Sequence, residues 1–381
     1  MAEELGAKEI TVETPLGKFK VPRFNGDVGT LMVFSSQVSG HTAFFRIPSG
    51  KIIKQFSSGR ELWFYANLHK YEQYHEWIPS FYGCVKVSQE QCRKTEAIAI
   101  EHAASNEGTL RVPTPLVSDY PHSDLRDEGE QDEDVDERQG STKFVNPTPW
   151  ALRLHRKRLA ASRNDSDLYL VLRDRSSAFR KACILDIKMG KITMGQDSTE
   201  TKRKRHKWKC SMTTSASMGI RISGMRVYNM KKKCFTFMHK YEGRALTPDT
   251  ISEGLFQFFH NGEELLVKVL DRCLEKLQSL LRVMENDRAF DLYSSSLLLM
   301  YDGDAASVSP DRRDVDLCLI DFSQSYLHCP SHEDDGFLLG LRNLIRILTS
   351  FKVEENISEY SVNALTNLYS KPLDPPSIWE K

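Results

Sequence analysis

Apolar and polar positions alternate along this chain in two distinct periods, and the period changes several times. From Gln37 the period is two. His41-Thr-Ala-Phe-Phe-Arg46 and Lys51-Ile-Ile-Lys-Gln-Phe56 flank a Pro48-Ser-Gly50 turn and predict a β-hairpin. A helix is predicted over Gly59–His69, with Leu62, Phe64, Tyr65 and Leu68 on one stripe. Strands are expected around Cys84–Val87, around Ala97–Ile100 and over Leu168–Leu172, with a short basic helix over Pro149–Leu159. Residues 1–30 read as a peripheral strand or arm.

The second half repeats the alternation on a larger scale. Cys183-Ile-Leu185 opens a buried strand that Gly190 ends. Thr247-Pro248 reads as an N-cap and first helical residue, leading into Leu255, Phe258 and Phe259 and a break at Asn261-Gly262. Leu265 through Leu281 then repeat at period 3.6, which marks a core-facing helix. His260, between the two helices, reads as a packed or capping histidine. Ser294–Tyr301 and Val315–Ile320 predict a second hairpin, and residues 337–350 a last amphipathic helix.

Two stretches carry chemistry. In Cys183-Ile-Leu-Asp186-Ile-Lys188-Met-Gly190, period two puts Asp186 and Lys188 on one face of the strand and Ile187 and Met189 on the other. Alone, such a pair could be a surface salt bridge worth less than about 1 kcal/mol. A few residues on, Lys202, Arg203, Lys204, Arg205, Lys207 and Lys209 follow one another with no acid among them. On a helix, Lys202, Arg205 and Lys209 share a face. Like charges this close call for an anionic partner: nucleic acid, an import receptor, or a polyphosphate small molecule.

Composition narrows the choice. Lys and Arg together number 52, as do Asp and Glu, so no overall basicity argues for nucleic acid. Only Trp208 is interleaved with the basic run, which is thin for a stacking surface. An acidic, Ser- and Gly-rich stretch over residues 105–145 is expected to be a weakly ordered insert. The 8 cysteines form no C-x-x-C pair, which fits a reducing compartment, cytoplasm or nucleus, better than a disulfide or zinc framework. Neither a secretory leader nor a membrane-spanning run is read from the chain. Neither G-x-x-x-x-G-K-[ST] nor G-x-G-x-x-G is present, so any phosphate site is of another kind.

Taken together, the blocks resemble the inositol polyphosphate kinase superfamily, and within it the inositol hexakisphosphate kinases. They are Asp186-x-Lys-x-Gly190, the basic helix, Ser211 to Tyr228, Lys240-Tyr-Glu-Gly-Arg244, Leu255 to Gly262, Tyr293 to Gly303 and Leu319-Ile-Asp-Phe322, with Asn146 to His155 as a subfamily marker. The likeness runs from about Val38 to Phe351. Ala182 stands where the family signature has proline, and Arg173 where it has glutamate.

The resemblance implies an α+β, two-lobed kinase of ATP-grasp or protein-kinase-like type, with a small β-rich N-lobe and a larger α/β C-lobe. Its expected divisions are an arm over 1–36, the N-lobe over 37–172, the C-lobe over 173–351 and a tail from 352. It implies Asp186 and Lys188 at the reaction centre. Lys54 and Glu61 would form the strand-lysine, helix-glutamate pair that holds ATP phosphates. Leu172 and Asp174 would meet the nucleotide where the lobes join, the Asp174 carboxylate accepting from ribose hydroxyls. Asp321 would hold Mg²⁺, steadied by Ser296. Lys188, Lys202, Arg205, Lys209 and Lys240 would face an inositol polyphosphate. The implied reaction makes a diphosphoinositol phosphate, on a protein expected to be monomeric. A hydroxyl-directed inositol polyphosphate kinase and a non-catalytic inositol phosphate sensor are the competing readings.

Overall fold

The computed structural model describes residues 9–14, 17–55, 58–105, 147–160, 168–195, 197–304, 315–329 and 336–354. The acidic insert beyond Ser105 and the tail beyond Glu354 lie outside the described residues. So does the side chain of Lys202, although its backbone belongs to a helix.

In chain order the elements are β1 (Glu9–Thr14), β2 (Gly17–Pro22), β3 (Met32–Val33), β4 (Phe44–Ile47), β5 (Lys51–Gln55), α1 (Gly59–Asn67), β6 (Phe81–Lys86), α2 (Gln89–Ser105), α3 (Pro149–Ala160) and β7 (Leu168–Arg173). Then come β8 (Ala182–Met189), α4 (Glu200–Ser211), α5 (Thr214–Met218), β9 (Ile220–Asn229), β10 (Cys234–Met238), α6 (Lys240–Ala245), α7 (Ile251–Phe259) and α8 (Val267–Asn286). The last are β11 (Phe290–Leu292), β12 (Ser296–Asp302), β13 (Val315–Ile320), β14 (Ser325–Leu327) and α9 (Gly336–Glu354).

The fold is α+β. Its two larger sheets are five-stranded, in orders β3-β4-β5-β7-β6 and β10-β9-β8-β12-β13. The first contains only N-terminal strands and the second only C-terminal ones, so each half of the chain builds its own sheet. The N-terminal sheet starts at Met32 rather than after residue 36, because β3 pairs with β4.

β8 is the central strand of the second sheet, and each of its faces meets a different partner. Cys183, Leu185, Ile187 and Met189 join the main core beneath α7, α8 and α9. Leu270, Cys273, Leu277 and Leu280 of α8 and Leu341, Leu344 and Leu348 of α9 are fully buried there. Burying each leucine stabilises the fold by about 1.5–3 kcal/mol. Ala182 and Ile184, on the other face, pack with Val38, Phe179, Met300 and Cys318 in a smaller cluster between the halves. Asp186 and Lys188 continue that second face.

Two elements differ from the sequence expectation. Ala97–Ile100 lies in α2 and not in a strand. Its buried residues Cys92, Glu96 and Ala103 fall at helical spacing, while Ile98 points to solvent at 55% exposure, so the short apolar run was not a buried face. α7 begins at Ile251, three residues after Pro248. Thr250 takes the cap position, and Thr247 folds back on it, its backbone N–H donating to Thr250 Oγ1.

Candidate functional site

The cleft face of the C-terminal sheet is organised in rows across the strands. Ser296 of β12, Lys188 of β8 and Arg221 of β9 are in register, and Leu298, Asp186 and Gly224 form the next row. A bulge in β9 admits Ser223 as an extra residue between the partners of Asp186 and Ile187. Bulges re-aim side chains, and this one puts both Arg221 and Arg226 on the cleft face although they are five positions apart. A side chain at Gly224 would collide with the carbonyl of Val38, 2.2 Å from an added Cβ. The loop before β4 can therefore lie directly on the sheet.

That loop brings Ser39 to Asp186, whose Oδ2 accepts from the Ser39 hydroxyl. Asp186 is 1% exposed, and its Oδ1 has no hydrogen-bond partner among the described residues. Burial raises its pKa, against the hydroxyls of Ser39 and Ser296 and the charge of Lys188. Lys188 donates to the carbonyl of Ser294. Burial lowers its pKa, although Asp321 and Asp186 favour its charge.

The opposite wall carries an ionic triad. Lys54 Nζ on β5 lies 2.7 Å from Glu61 Oε1 on α1 and 2.7 Å from Asp321 Oδ1. Glu61 is fully buried. One helical turn after Glu61, Phe64 stacks on Phe322 with ring centroids 3.9 Å apart. A single helix thus holds the lysine through Glu61 and the Asp321-Phe322 pair through Phe64. Asp321 follows the last residue of β13 with φ 64°, a left-handed conformation that Asp tolerates better than most residues. Burial opposes its ionisation, but Lys54 and Lys188 outweigh that and bring its pKa to about 2. For Lys54 burial likewise opposes the charge, and Asp321 and Glu61 override it, raising the pKa.

These carboxylates fit a hard divalent ion. Among the described residues no cluster of three or more metal-ligating side chains occurs. One or two carboxylates with substrate phosphates is, however, the usual Mg²⁺ arrangement. Asp321 is 28% exposed at the side chain, and Asp186 offers a buried oxygen without a hydrogen-bond partner among the described residues. Ser296 is buried and lies opposite Ile320, the residue before Asp321.

The third part of the site is basic. Arg205 and Lys209 on α4 are exposed, and the charges of Arg205 and Arg244 add to partial desolvation in lowering the pKa of Lys209. Burial, with Arg244 beside it, pushes Arg221 down to about 10. Burial, then Arg244, Arg153, Lys157 and Arg221, pushes Lys240 down to about 8. The side chain of Gly243 is missing where a Cβ would stand 2.2 Å from the carbonyl of Ile222, so α6 seats directly on β9 and brings Lys240 and Arg244 to Arg221. Lys209 of the basic helix thus feels the charge of Arg244, which in turn lies beside Arg221, the cation next to Lys188.

Three features differ from the sequence reading. Asp174 does not present lone pairs to a ribose. Its Oδ1 accepts from the Ser176 and Ser177 backbone and the Ser176 hydroxyl, its Oδ2 from Arg46, and it is 2% exposed. It caps the turn after the lobe junction and ties that turn to β4. The Leu172 side chain is buried in the main core, leaving only its backbone at the junction. His41, Arg221 and Arg244 were not foreseen as site residues. The pKa of His41 is lowered by burial, then by Lys240 and Lys188, while Asp321 opposes. Only the Lys240-x-x-x-Arg244 spacing could have signalled one of the three.

A buried acid-lysine strand, a lysine between two carboxylates and a belt of cations without a carboxylate partner among the described residues meet in one two-lobed α+β protein. Residues 169–349 match the family model described as inositol polyphosphate kinase. Over that segment, just under half of its length, the chain is similar to inositol polyphosphate kinases. It is 35% identical over 254 residues to inositol hexakisphosphate kinase 3 of Homo sapiens, covering 58% of this chain and 62% of that protein. It is 27% identical over 422 residues to inositol hexakisphosphate kinase 1 of Rattus norvegicus, covering 86% and 95%. The chain thus spans less than two thirds of the first of these relatives. A crystal structure of an inositol phosphate multikinase from S. cerevisiae with ADP and Mn²⁺ aligns at a TM-score of 0.44 and 28% identity, over 50% of this chain and 86% of that one.

Proposed function

We propose that this chain is an ATP-dependent inositol phosphate kinase that uses Mg²⁺ and phosphorylates inositol hexakisphosphate or pentakisphosphate to a diphosphoinositol phosphate. The observation that carries this reading is the belt of Arg205, Lys209, Arg221, Lys240 and Arg244, beside the Asp186-Lys188 strand, with lowered pKa values at Lys209, Arg221 and Lys240. Cations whose charge is depressed by burial and then by one another, with no carboxylate partner among the described residues, are stabilised by a polyanion.

Phosphoryl transfer needs positioning and charge neutralisation more than covalent help. Lys54, held by Glu61 and Asp321, binds phosphates of ATP. Lys188 lies between donor and acceptor and stabilises the group in flight. An acceptor oxygen bonds to the γ-phosphorus, the bond to the β–γ bridging oxygen breaks, and ADP leaves. Asp321 would hold Mg²⁺, with Asp186 Oδ1 within the same cleft and Ser296 behind it. When bound, the ion neutralises charge on the β- and γ-phosphate oxygens.

Asp186 serves either acceptor. An attacking hydroxyl would give its proton to this carboxylate, whose raised pKa suits a base. A phosphate acceptor is ionised near neutral pH and needs only orientation. The hydroxyl-directed kinase stays the second reading because of that raised pKa. The sensor reading is weakened by the intact Lys54, Asp186, Lys188 and Asp321. We place the activity in the cytoplasm or nucleus, in keeping with 8 cysteines that form no C-x-x-C pair in the sequence.

Incubation with Mg-ATP and inositol hexakisphosphate yields a more highly phosphorylated product on this reading. Nucleotide binding without turnover of any inositol phosphate would leave the sensor. pH supplies a further expectation. Lys240, at about 8, loses its charge in the unliganded fold well below the ordinary lysine range. Between pH 8 and about 10.4 the unfolded chain binds more protons there, so the stability of the unliganded protein rises with pH. A bound polyanion restores the charge, so affinity for inositol hexakisphosphate falls as pH goes from 7 to 9. Lys240→Arg removes that fall. Titrations at both pH values check it, and an unchanged pH response in the variant excludes Lys240 as its source.

A further inference from the structure

One cationic group outside the reaction centre is not used by the mechanism above. α3 carries Trp150, Arg153 and Lys157 at helical spacing i, i+3, i+7. Arg153 Cζ lies 5.7 Å from the Trp150 ring centroid and 5.8 Å from that of Tyr241. Lys240 Nζ lies 4.8 Å and 5.1 Å from the same two rings. Two cations thus share one aromatic pair, and neither they nor Lys157 has an acidic partner among the described residues. Cation–π contact compensates like-charge repulsion only in part.

The indole N–H of Trp150 is a second, independent sign of a ligand. Trp150 is 8% exposed, and its Nε1 has no acceptor among the described residues. An unmet buried donor beside unmatched cations is satisfied by an oxyanion.

α3 is also fastened to the reaction centre. The Thr148 backbone N–H donates to the Ser35 carbonyl at 2.9 Å, and the Thr148 hydroxyl donates to the Gln37 carbonyl while accepting from Ala151 N at 3.1 Å. Gln37 Nε2 donates to Ser39 O and Thr42 O at 2.9 and 2.8 Å, and Ser39 donates to Asp186. The helix start and the catalytic carboxylate thus share one short loop. Trp150 and Leu154 pack on Ala43, with Tyr241 against them.

We propose that Arg153, Lys157, Lys240 and the Trp150 indole N–H form a second phosphate subsite, which takes a phosphate of the acceptor remote from the reacting one and so favours inositols carrying more phosphates. The subsite rests on the inositol phosphate kinase reading. It makes α3 a measure of how many phosphates the acceptor carries, separate from the α4 and β9 cations nearer the reacting group.

The test is equilibrium binding of inositol hexakisphosphate and of an inositol trisphosphate by calorimetry, without ATP, to wild type and Arg153→Ala/Lys157→Ala. Both side chains are exposed, and unchanged ADP binding and melting temperature show the variant is folded. Hexakisphosphate affinity is expected to fall at least about tenfold, from two lost charge-assisted contacts. Trisphosphate affinity is expected to change less than about threefold, and kcat at saturating hexakisphosphate to stay within about twofold. Arg153→Lys/Lys157→Arg restores most of the loss. Unchanged hexakisphosphate affinity, or equal losses for both ligands, overturns the subsite alone. A wild-type protein that binds neither inositol phosphate overturns the kinase reading beneath it.

Discussion

Asp321→Asn is expected to lower the proposed turnover of inositol hexakisphosphate by about 10²–10³-fold, the usual cost of removing one preorganised charge from a transition-state site. Asparagine is the informative replacement. It keeps the shape of the side chain and tolerates the left-handed φ of 64° at this position, whereas alanine would add backbone strain. What changes is the negative charge that Lys54 and Lys188 hold ionised down to about pH 2. On the proposed assignment the variant keeps metal-free ADP affinity and loses the gain expected from Mg²⁺. Steady-state product analysis, with ADP titrations in the presence and absence of the ion, reads both effects. Turnover within about threefold of wild type would remove Asp321 from the chemistry.

Lys54→Met is expected to give the largest loss of stability. It removes the lysine that the fully buried Glu61 and Asp321 share at 2.7 Å each. Breaking a buried pair by removing one member costs about 3–5 kcal/mol. At about 2.1 cal/mol/K of unfolding entropy per residue, a chain of 381 residues loses roughly 4–6 °C of melting temperature. Adding Glu61→Leu removes the buried charge and returns most of that stability, since apolar replacement of a buried pair is often neutral. ADP affinity stays low in both variants if Lys54 holds phosphates. Calorimetric melting separates the two roles. A double variant as unstable as the single one would show that Glu61 is not the cause, and full ADP affinity without Lys54 would remove it from the nucleotide site.

Regions where structure follows from local spacing were legible in the chain. The stripe on α1, the period-3.6 leucines of α8 and the alternation that puts Asp186 and Lys188 on one face of β8 all depend on residues within a few positions of one another. α2 was misread because Ala97-Ile-Ala-Ile100 is too short to set a period, and its buried positions are polar or small. Asp174 was misplaced for another reason: whether a carboxylate faces a ligand or its own backbone depends on the φ and ψ of the next turn, and nothing in its identity records that.

The chemistry available to this protein was determined by the amino-acid sequence: an acid and a lysine two apart on a strand, a lysine and a glutamate before and on the first helix, and a run of bases dense enough to call for an anion. Tertiary structure alone decided which of these groups meet. The bulge at Ser223 turns Arg221 toward Lys188, the bare backbones of Gly224 and Gly243 let a loop and a helix close on β9, and the left-handed Asp321 bends to Lys54 across 267 positions. The physical reason is range. Side-chain periodicity is set over a few residues, whereas register, close backbone approach and charge clustering are set by strands and helices that come from distant parts of the chain.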